Sequence, residues 1–336
     1  MPNDQKYLLA AESGGTKTLW YLLDRHGRIL GKAKSQGMAS VQEGMLPLKD
    51  IAGGAIAELF GVIPDAPGSM RNCYLSLGGP NTDEAAGVLR SLLPGADVVV
   101  DREANGNLLI ECSKIYHYDV AVLVGTGTTA VGELNGQRYF AGGWGPDFDD
   151  LGSGYWLGLN ALKAVLLAAE GRAETTALTE DFAPLIGDTN FSMFASRMAL
   201  KQRLYTMSRH EIAAYAEAVV RRDETDVVAR RLVSQSAENI ARMAFSIIRR
   251  WPKPDRSIVV LGLGGMLASN HCLVELCRQC LIVLCEYAEF KVDPSFTLGL
   301  GACIMALKHG NVANLDNAIN TVCGRITQAG SHAGIA

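Results

Sequence analysis

Two short turns rich in glycine and hydroxyl side chains carry the residues of this chain that are best suited to chemistry. They lie at residues 12–18 and 125–128. Glycine lets a bulky anion approach backbone N–H groups, while threonine and lysine side chains donate hydrogen bonds to phosphate oxygens. Either turn alone is also compatible with an ordinary glycine hairpin. The residues that would contact phosphate are Gly14, Gly15, Thr16, Lys17, Thr18, Gly125, Thr126, Gly127 and Thr128.

The elements around the two turns follow the same order: a strand, the glycine turn, a second strand, a polar turn and a third strand. The predicted strands are at 7–11, 19–23 and 29–33 in the first copy and at 120–124, 130–134 and 137–141 in the second. Two β-meanders of the same layout, each with a phosphate-like loop after its first strand, predict a duplicated fold. A nucleotide would be clasped between the two halves.

A third glycine-rich signature follows the second meander, with Gly-Gly-Trp-Gly at 142–145 and Asp-Leu-Gly-Ser-Gly at 150–154. With the two turns described above, it makes the chain resemble the superfamily of sugar kinases, actin and heat-shock ATPases. Within that superfamily, the resemblance is to the N-acetylglucosamine and glucosamine kinase branch, which also contains the BadF/BadG/BcrA/BcrD ATPases. It extends from about residue 6 to about residue 308.

The resemblance implies an α/β fold with two ribonuclease-H-like domains of the actin-like ATPase type. It places the N-terminal domain at 1–118 and the C-terminal domain at 119–308, followed by a C-terminal helix or tail at 309–336. Helical periodicity at about 170–250 indicates a helical insertion in the second domain.

A glycine-rich segment at 262–267 superficially matches a dinucleotide-binding fingerprint. The match fails because Leu267 occupies the third glycine position and the segment lies late in the chain. The resemblance instead implies an adenosine-binding loop that contains Gly264 and Gly265.

Acidic residues after the predicted strand at 96–100 are the candidates for a catalytic base. Phosphoryl transfer to a hydroxyl needs a carboxylate that orients the hydroxyl and accepts its proton. The resemblance aligns Glu103 with an Asp of the amino-sugar kinases, so this chain departs from the family by one methylene group. Asp101 is the second candidate. Both residues are also compatible with solvated charges at the start of a helix.

The resemblance also implies a magnesium ion and a sugar site. Glu12 would hold Mg²⁺ through water. Asp150 would accept a hydrogen bond from a sugar hydroxyl, and Leu151 replaces a polar neighbour found in the family. Trp144 would either stack on a sugar ring or fill the core. The predicted substrate contacts are Gly78, Gly79, Asn81, Trp144, Asp150 and Ser153.

Composition and charge argue against several other classes of protein. The 336 residues are 48% hydrophobic, enough for two domains with cores of their own. A net charge of -4 gives no basic footprint for nucleic acid. No run approaches the ~18 apolar residues of a membrane span, and the chain starts without an apolar signal region. Together with eight cysteines, this start indicates a reducing, cytoplasmic compartment.

Two of those cysteines, Cys277 and Cys280, form a Cys-x-x-Cys pair inside an apolar segment. Because no second ligand pair lies nearby, this setting favours buried structural thiols over a metal or redox site.

These features predict an ATP- and Mg²⁺-dependent kinase that phosphorylates a hydroxyl of an amino sugar of the N-acetylglucosamine or glucosamine class. Relatives imply a homodimer. One alternative is a BadF-type ATPase that activates a partner enzyme. Such relatives hold an iron–sulphur cluster with cysteines near the domain junction, where this chain has only Cys112. The other is a non-catalytic sugar sensor, which the changes at Glu103 and Leu151 keep open.

Overall fold

The computed structural model describes residues 6–15, 17–38, 45–78, 81–102, 105–186, 194–293 and 297–330. The chain forms two compact units, one made of Met1–Tyr116 and Pro294–Ala336 and the other of His117–Asp293. The chain passes from the first unit to the second after residue 116, close to the boundary predicted after residue 118. It returns to the first unit after residue 293, so residues 294–308 belong to the first unit and not to the second domain as predicted.

The first unit begins with a β-meander and is completed by two helices that follow the second unit in the sequence. Its elements are β1 (Tyr7–Ser13), β2 (Lys17–Asp24), β3 (Ile29–Gln36), α1 (Met45–Val62), β4 (Met70–Leu77), α2 (Thr82–Leu92), β5 (Asp97–Asp101), α3 (Asn105–Tyr116), α12 (Leu298–His309) and α13 (Leu315–Gly330).

The five strands of the first unit form one sheet in the order β3-β2-β1-β4-β5. β1 pairs antiparallel with β2 and parallel with β4, and β4 pairs parallel with β5. Helices α1 and α2 share a buried apolar cluster with Leu9 and Leu75 on one face. Residues alternate between faces along a strand, and α12 packs on the other face, where Gly310 lies against Leu8. This packing brings the end of the chain back to the first unit.

The second unit repeats the meander and then inserts a run of helices before its fourth strand. Its elements are β6 (Val120–Val124), β7 (Thr128–Leu134), β8 (Gln137–Gly142), α4 (Gly154–Ala169), α5 (Leu178–Ile186), α6 (Phe194–Thr206), α7 (Arg209–Ala214), α8 (Ala216–Arg221), α9 (Val227–Ile248), β9 (Ile258–Leu263), α10 (Gly265–Ala268), α11 (His271–Leu284) and β10 (Ala288–Val292).

The strands of the second unit also form one sheet, in the order β8-β7-β6-β9-β10. Strand by strand, this order matches the order β3-β2-β1-β4-β5 of the first sheet. The predicted duplication is therefore confirmed. The predicted helical insertion is also confirmed, with one difference. Helix α9 is not a peripheral excursion, because Ile240 and Ala244 on its buried face belong to the same core cluster as Val122 and Ala130 of the sheet.

Candidate active site

The first glycine loop joins β1 to β2 in a tight turn. The Gly14 N–H donates to the Lys17 carbonyl oxygen at 3.0 Å. Gly15 and Lys17 are exposed, and a β-carbon at Gly15 would have no atom within 4 Å. This open space, together with the cation next to it, fits the predicted anion site. Thr16 lies outside the described residues.

Two buried hydroxyl groups hold the base of this loop together. Ser13 Oγ and Thr18 Oγ1 are 2.8 Å apart, and Ser13 Oγ also accepts a hydrogen bond from the Met38 N–H at 2.9 Å. Thr18 Oγ1 donates to the Gln36 carbonyl oxygen at 3.0 Å. The sequence predicts a phosphate contact for Thr18, but in the structure its hydroxyl is fully buried and ties β2 to β3.

Glu12 lies near the end of β1, just before this loop, and is only 6% exposed. Burial raises the pKa of its carboxyl to about 7, an effect that the charge of nearby Lys17 opposes. A cation beside the carboxyl would stabilise its ionised form. Mg²⁺ is commonly held by one or two carboxylates together with substrate phosphates and water. The setting of Glu12 therefore fits the predicted magnesium ion.

Glu12 belongs to a row of polar residues that crosses the first sheet. It pairs in register with Ser76 on β4, and Ser76 pairs in register with Asp101 on β5. β1, β4 and β5 are parallel, and the row lies at or near their carboxyl ends, where open α/β sheets bind ligands. Ser76 Oγ is buried, with no hydrogen-bond partner among the described residues.

Asp101, the second candidate for the catalytic base, is half-buried at the end of β5. Its Oδ2 atom accepts hydrogen bonds from the Tyr74 hydroxyl and, at 2.7 Å, from the Asn107 amide. Since Asn107 lies in the first turn of α3, this network fixes the start of α3 to the sheet. Glu103, the first candidate, lies outside the described residues.

The predicted sugar-facing turn follows β4. Gly78 is half-buried, and Asn81 immediately precedes α2 without a side-chain cap hydrogen bond to that helix. Gly79 lies outside the described residues.

The second glycine loop, between β6 and β7, is closed and fastened to α4. The Gly125 N–H donates to the Gly127 carbonyl oxygen at 2.9 Å. The Gly125 carbonyl oxygen accepts from the Gly154 N–H at 2.8 Å, and that of Thr126 accepts from the Tyr155 N–H at 3.2 Å. Two N–H groups in the first turn of α4 therefore donate hydrogen bonds to this loop and are not available to a ligand.

Asp150 braces the same loop from the side. Its Oδ1 atom accepts a hydrogen bond from the Thr128 backbone N–H at 3.0 Å, and its Oδ2 atom accepts one from Arg209 Nη2 at 2.5 Å. Burial raises the pKa of Asp150, against the opposing effects of these two donors. The sequence predicts that Asp150 binds a sugar hydroxyl. In the structure it is buried, and both carboxylate oxygens hold groups of the protein itself.

Thr128 and Ser153 also use their side chains internally. Thr128 Oγ1 donates to the Leu151 carbonyl oxygen at 3.2 Å, which differs from the predicted phosphate contact. Ser153 is the N-cap of α4, where its Oγ accepts from the Trp156 N–H at 3.0 Å. Because Ser153 is fully buried, its hydroxyl serves the helix and not the predicted substrate contact.

Trp144 lies in the segment between β8 and α4 and is 78% exposed. The interpretation in which Trp144 fills the core is therefore wrong. The exposed indole remains suited to stacking on a sugar ring.

The predicted adenosine loop lies against the second glycine loop. Gly264 has φ +97° and packs on the backbone of Val124, the residue before Gly125, so closely that a β-carbon would overlap the Val124 carbonyl. A β-carbon at Gly265 would have no atom within 4 Å. The second unit thus places an open glycine edge next to its phosphate-like loop.

A family model described as the BadF/BadG/BcrA/BcrD ATPase family matches residues 12–306. The chain belongs to this family. The matched span includes both glycine loops and the segment around Gly264, which confirms the family that the sequence motifs indicate.

Two curated relatives of this BadF/BadG/BcrA/BcrD family member are kinases. The chain is 25% identical to the N-acetylmuramic acid/N-acetylglucosamine kinase of Clostridium acetobutylicum over 178 residues, which are 52% of this chain and 55% of that protein. It is 28% identical to a glucosamine kinase of Vibrio cholerae over 178 residues, which are 52% and 59% of the two chains. The matches span a little over half the length of these relatives.

Solved structures show the same fold. An N-acetylglucosamine kinase candidate from Chromobacterium violaceum superposes with a TM-score of 0.71 at 22% identity, covering 90% of this chain and 99% of that one. A glucokinase of the ROK family from Streptomyces griseus, solved with glucose and AMPPNP, gives 0.55 at 15% identity over 90% and 99% of the two chains. The predicted α/β fold with two ribonuclease-H-like domains is confirmed.

Arg209 belongs to the candidate site through its contact with Asp150, and no sequence motif indicates it. The Ser208 to Glu211 pattern is a recognisable capping box and signals a helix start. Nothing in it signals a contact with Asp150, which lies 59 residues earlier in the chain.

Three further features concern the predicted absence of a metal site at the cysteines and of a membrane-spanning segment. In the described ranges no group of three or more His, Cys, Asp or Glu side chains is arranged to hold a metal ion. Cys277 is buried, Cys280 is half-buried, and both are free thiols whose pKa is raised by burial. None of the described helices has the length and apolar character needed to cross a bilayer.

Proposed function

We propose that this protein is an ATP-dependent kinase that transfers the γ-phosphoryl group to a hydroxyl of an amino sugar of the N-acetylglucosamine or glucosamine class. The observation that carries the proposal is the duplicated sheet with a glycine loop after the first strand of each copy. Family membership supports ATP as the nucleotide. The two curated relatives, both amino-sugar kinases, support the acceptor class.

Phosphate binding rests on the groups that both loops leave open. At the first loop these are the space beside Gly15 and the exposed Lys17 side chain. At the second loop Asp150 and the first turn of α4 hold the backbone in one conformation, so its remaining polar groups are arranged before the nucleotide arrives. Such preorganisation is the main way in which proteins assist phosphoryl transfer.

Glu12 is the residue that would hold Mg²⁺, through water. When bound, the ion would neutralise charge that develops on the phosphate oxygens. Binding requires the ionised carboxyl, and with a pKa of about 7 a large fraction of Glu12 is protonated at neutral pH before any cation is present.

Glu103 is the proposed base for the acceptor hydroxyl. The alternative, Asp101, has Oδ2 committed to the Tyr74 hydroxyl and the Asn107 amide. Two donated hydrogen bonds already occupy that oxygen, which leaves it less available to an acceptor hydroxyl. We therefore assign Asp101 to holding the start of α3 and Glu103, two residues later in the sequence, to the proton transfer.

The direct test is ADP release from ATP and Mg²⁺ with a panel of N-acetylglucosamine, glucosamine, N-acetylmuramic acid and glucose, against a control without sugar. ADP release that requires one of the amino sugars, with mass-spectrometric detection of its phosphate, supports the proposal. Equal release without sugar would identify an ATPase of the activator type. Sugar binding without turnover would identify a sensor.

A further inference from the structure

The helical insertion of the second unit supplies a side chain to the second glycine loop. Helix α7 begins with a capping box in which the Ser208 N–H donates to Glu211 Oε2 at 2.7 Å and the Glu211 N–H donates to Ser208 Oγ at 3.3 Å. This box fixes the first turn of α7 and with it Arg209, the first residue of the helix.

Helix α7 lies tightly against α4. A β-carbon at Gly158 on α4 would overlap the carbonyl oxygen of Ile212 on α7, and a β-carbon at Gly154 would lie 3.5 Å from the Ala213 carbonyl oxygen. Backbones can approach so closely only where one partner is glycine. Backbone packing therefore fixes where α7, and with it the backbone of Arg209, lies against α4.

From this position the Arg209 guanidinium reaches the loop through Asp150. Nη2 donates to Asp150 Oδ2 at 2.5 Å, and the guanidinium lies 5.5 Å from the centre of the Tyr155 ring. The other carboxylate oxygen holds the Thr128 N–H at 3.0 Å. A chain of two charge-assisted hydrogen bonds thus runs from α7 to the peptide group at the end of the second glycine loop.

The Asp150 carboxylate also fills the space beside the loop. A β-carbon on Gly127 would lie only 2.6 Å from Asp150 Oδ1. A displacement of Asp150 would therefore both release the Thr128 N–H and open the packing against Gly127. A buried carboxylate that loses its cationic partner is strongly disfavoured, so removal of Arg209 is expected to cause such a displacement.

We propose that Arg209 is a positioning residue for the second glycine loop: through Asp150 it holds the Thr128 peptide group in place, and so keeps the loop in the conformation that binds the phosphates of the nucleotide. The nucleotide part of this inference rests on the proposed function. The positioning part does not, because the chain of contacts lies within the ligand-free protein.

The experiment compares Arg209→Met, Arg209→Lys and Asp150→Asn with Arg221→Met in the full-length protein. Arg221 is a matched control, since it lies in the same helical insertion and forms an exposed ion pair with Asp181 at 2.7 Å. Circular dichroism first establishes that each variant is folded. Hydrogen exchange of the Thr128 amide is then measured without nucleotide, and affinity for a non-hydrolysable ATP analogue is measured by calorimetry.

We expect Arg209→Met and Asp150→Asn to accelerate Thr128 exchange at least ~10-fold and to weaken analogue binding at least ~10-fold. Arg209→Lys should restore most of both, because it keeps a cation near Asp150. In the double variant Arg209→Met with Asp150→Asn, Thr128 exchange and analogue affinity should change no more than in the single variant with the larger effect. Such non-additivity is expected of two residues in one chain of contacts. Arg221→Met should match the parent in both measurements.

Unchanged Thr128 exchange in folded Arg209→Met protein would overturn the positioning role, as would an equal acceleration in Arg221→Met. If Arg209→Met does not fold, Arg209→Gln, which removes the cation but keeps a polar side chain, takes its place in the same comparison. Failure of the parent to bind the analogue would count against the proposed function alone, because the exchange measurement stays valid.

Discussion

Glu12 on β1 and Ser76 on β4 are register partners across the first sheet, and both side chains are buried. The Ser76 hydroxyl has no hydrogen-bond partner in the described part of the chain. Leaving such a group unsatisfied costs about 1–3 kcal/mol. Ser76 lies beside Glu12, the candidate magnesium residue. We therefore expect the Ser76 hydroxyl to gain a hydrogen-bond partner when Mg²⁺ and the nucleotide bind.

Ser76→Ala should therefore leave the ligand-free protein as stable as the parent or about 1 kcal/mol more stable, since an unpaired buried hydroxyl is removed. Urea unfolding measures this. In the presence of Mg²⁺ and the ATP analogue the stability gained on binding should be smaller than in the parent. A clear loss of stability without ligand would show that the hydroxyl already has a partner.

Glu12 makes the stability of the protein depend on pH. Its folded-state pKa of about 7 lies above the ordinary value of 4.5, so folding favours the protonated carboxyl. The stabilisation is fully present below pH 4.5 and is lost as the pH rises through about 7, amounting to about 3 kcal/mol at the usual conversion. The difference in unfolding free energy between parent and Glu12→Gln, measured in urea at pH 5 and pH 8 without metal, should change by this order.

Mg²⁺ should reverse that dependence, because the ion binds the ionised carboxyl. The stabilisation by Mg²⁺ with the ATP analogue should grow between pH 6 and pH 8 in the parent and be small at both pH values in Glu12→Gln. A parent whose Mg²⁺ response equals that of Glu12→Gln would remove Glu12 from the metal site.

Two glycines of the candidate site should respond differently to the same substitution. Gly127→Ala places a β-carbon 2.6 Å from Asp150 Oδ1, so it should lower both the unfolding free energy and analogue affinity. Gly15→Ala has open space around it and should leave stability unchanged while weakening analogue binding about 10-fold, since its methyl group occupies the anion space. Equal analogue affinity in Gly15→Ala and the parent would place the phosphates elsewhere.

The two acidic candidates for the base should separate by their effects on rate and on stability. Glu103→Gln should lower kcat by ~10²- to 10⁴-fold with little change in analogue affinity, as expected for the loss of a general base. Asp101→Asn should destabilise the fold by about 1–3 kcal/mol, because the charged acceptor of two hydrogen bonds is lost. An active Glu103→Gln beside a folded but inactive Asp101→Asn would reverse the assignment.

Trp144 should matter for the substrate and hardly at all for folding. An indole that is 78% exposed buries little surface, so Trp144→Ala should change the unfolding free energy by less than ~0.5 kcal/mol. If the ring stacks on the sugar, KM for the sugar should rise several-fold with kcat nearly constant. Trp144→Phe serves as the control and should retain most of the affinity.

Local patterns in the sequence were sufficient for the elements and for their duplication. Each meander is built from neighbours in the chain, so the turn residues and the alternation of apolar side chains predict it directly. Glu12, Gly14 and Gly15 sit at a strand end and its turn for the same reason. The helical periodicity of the insertion likewise predicts its helices, because hydrophobic spacing within one helix does not depend on what that helix contacts.

Contacts between distant parts of the chain were decided only by tertiary structure. Asp150 has the residue type and motif of a ligand-binding carboxylate, yet Arg209 and the Thr128 amide occupy both its oxygens. The return of α12 to the first unit likewise depends on an apolar face finding its place on β1 and β4. A sequence motif specifies which groups are available for hydrogen bonding and burial. Only the packed fold determines whether the protein itself or a ligand satisfies them.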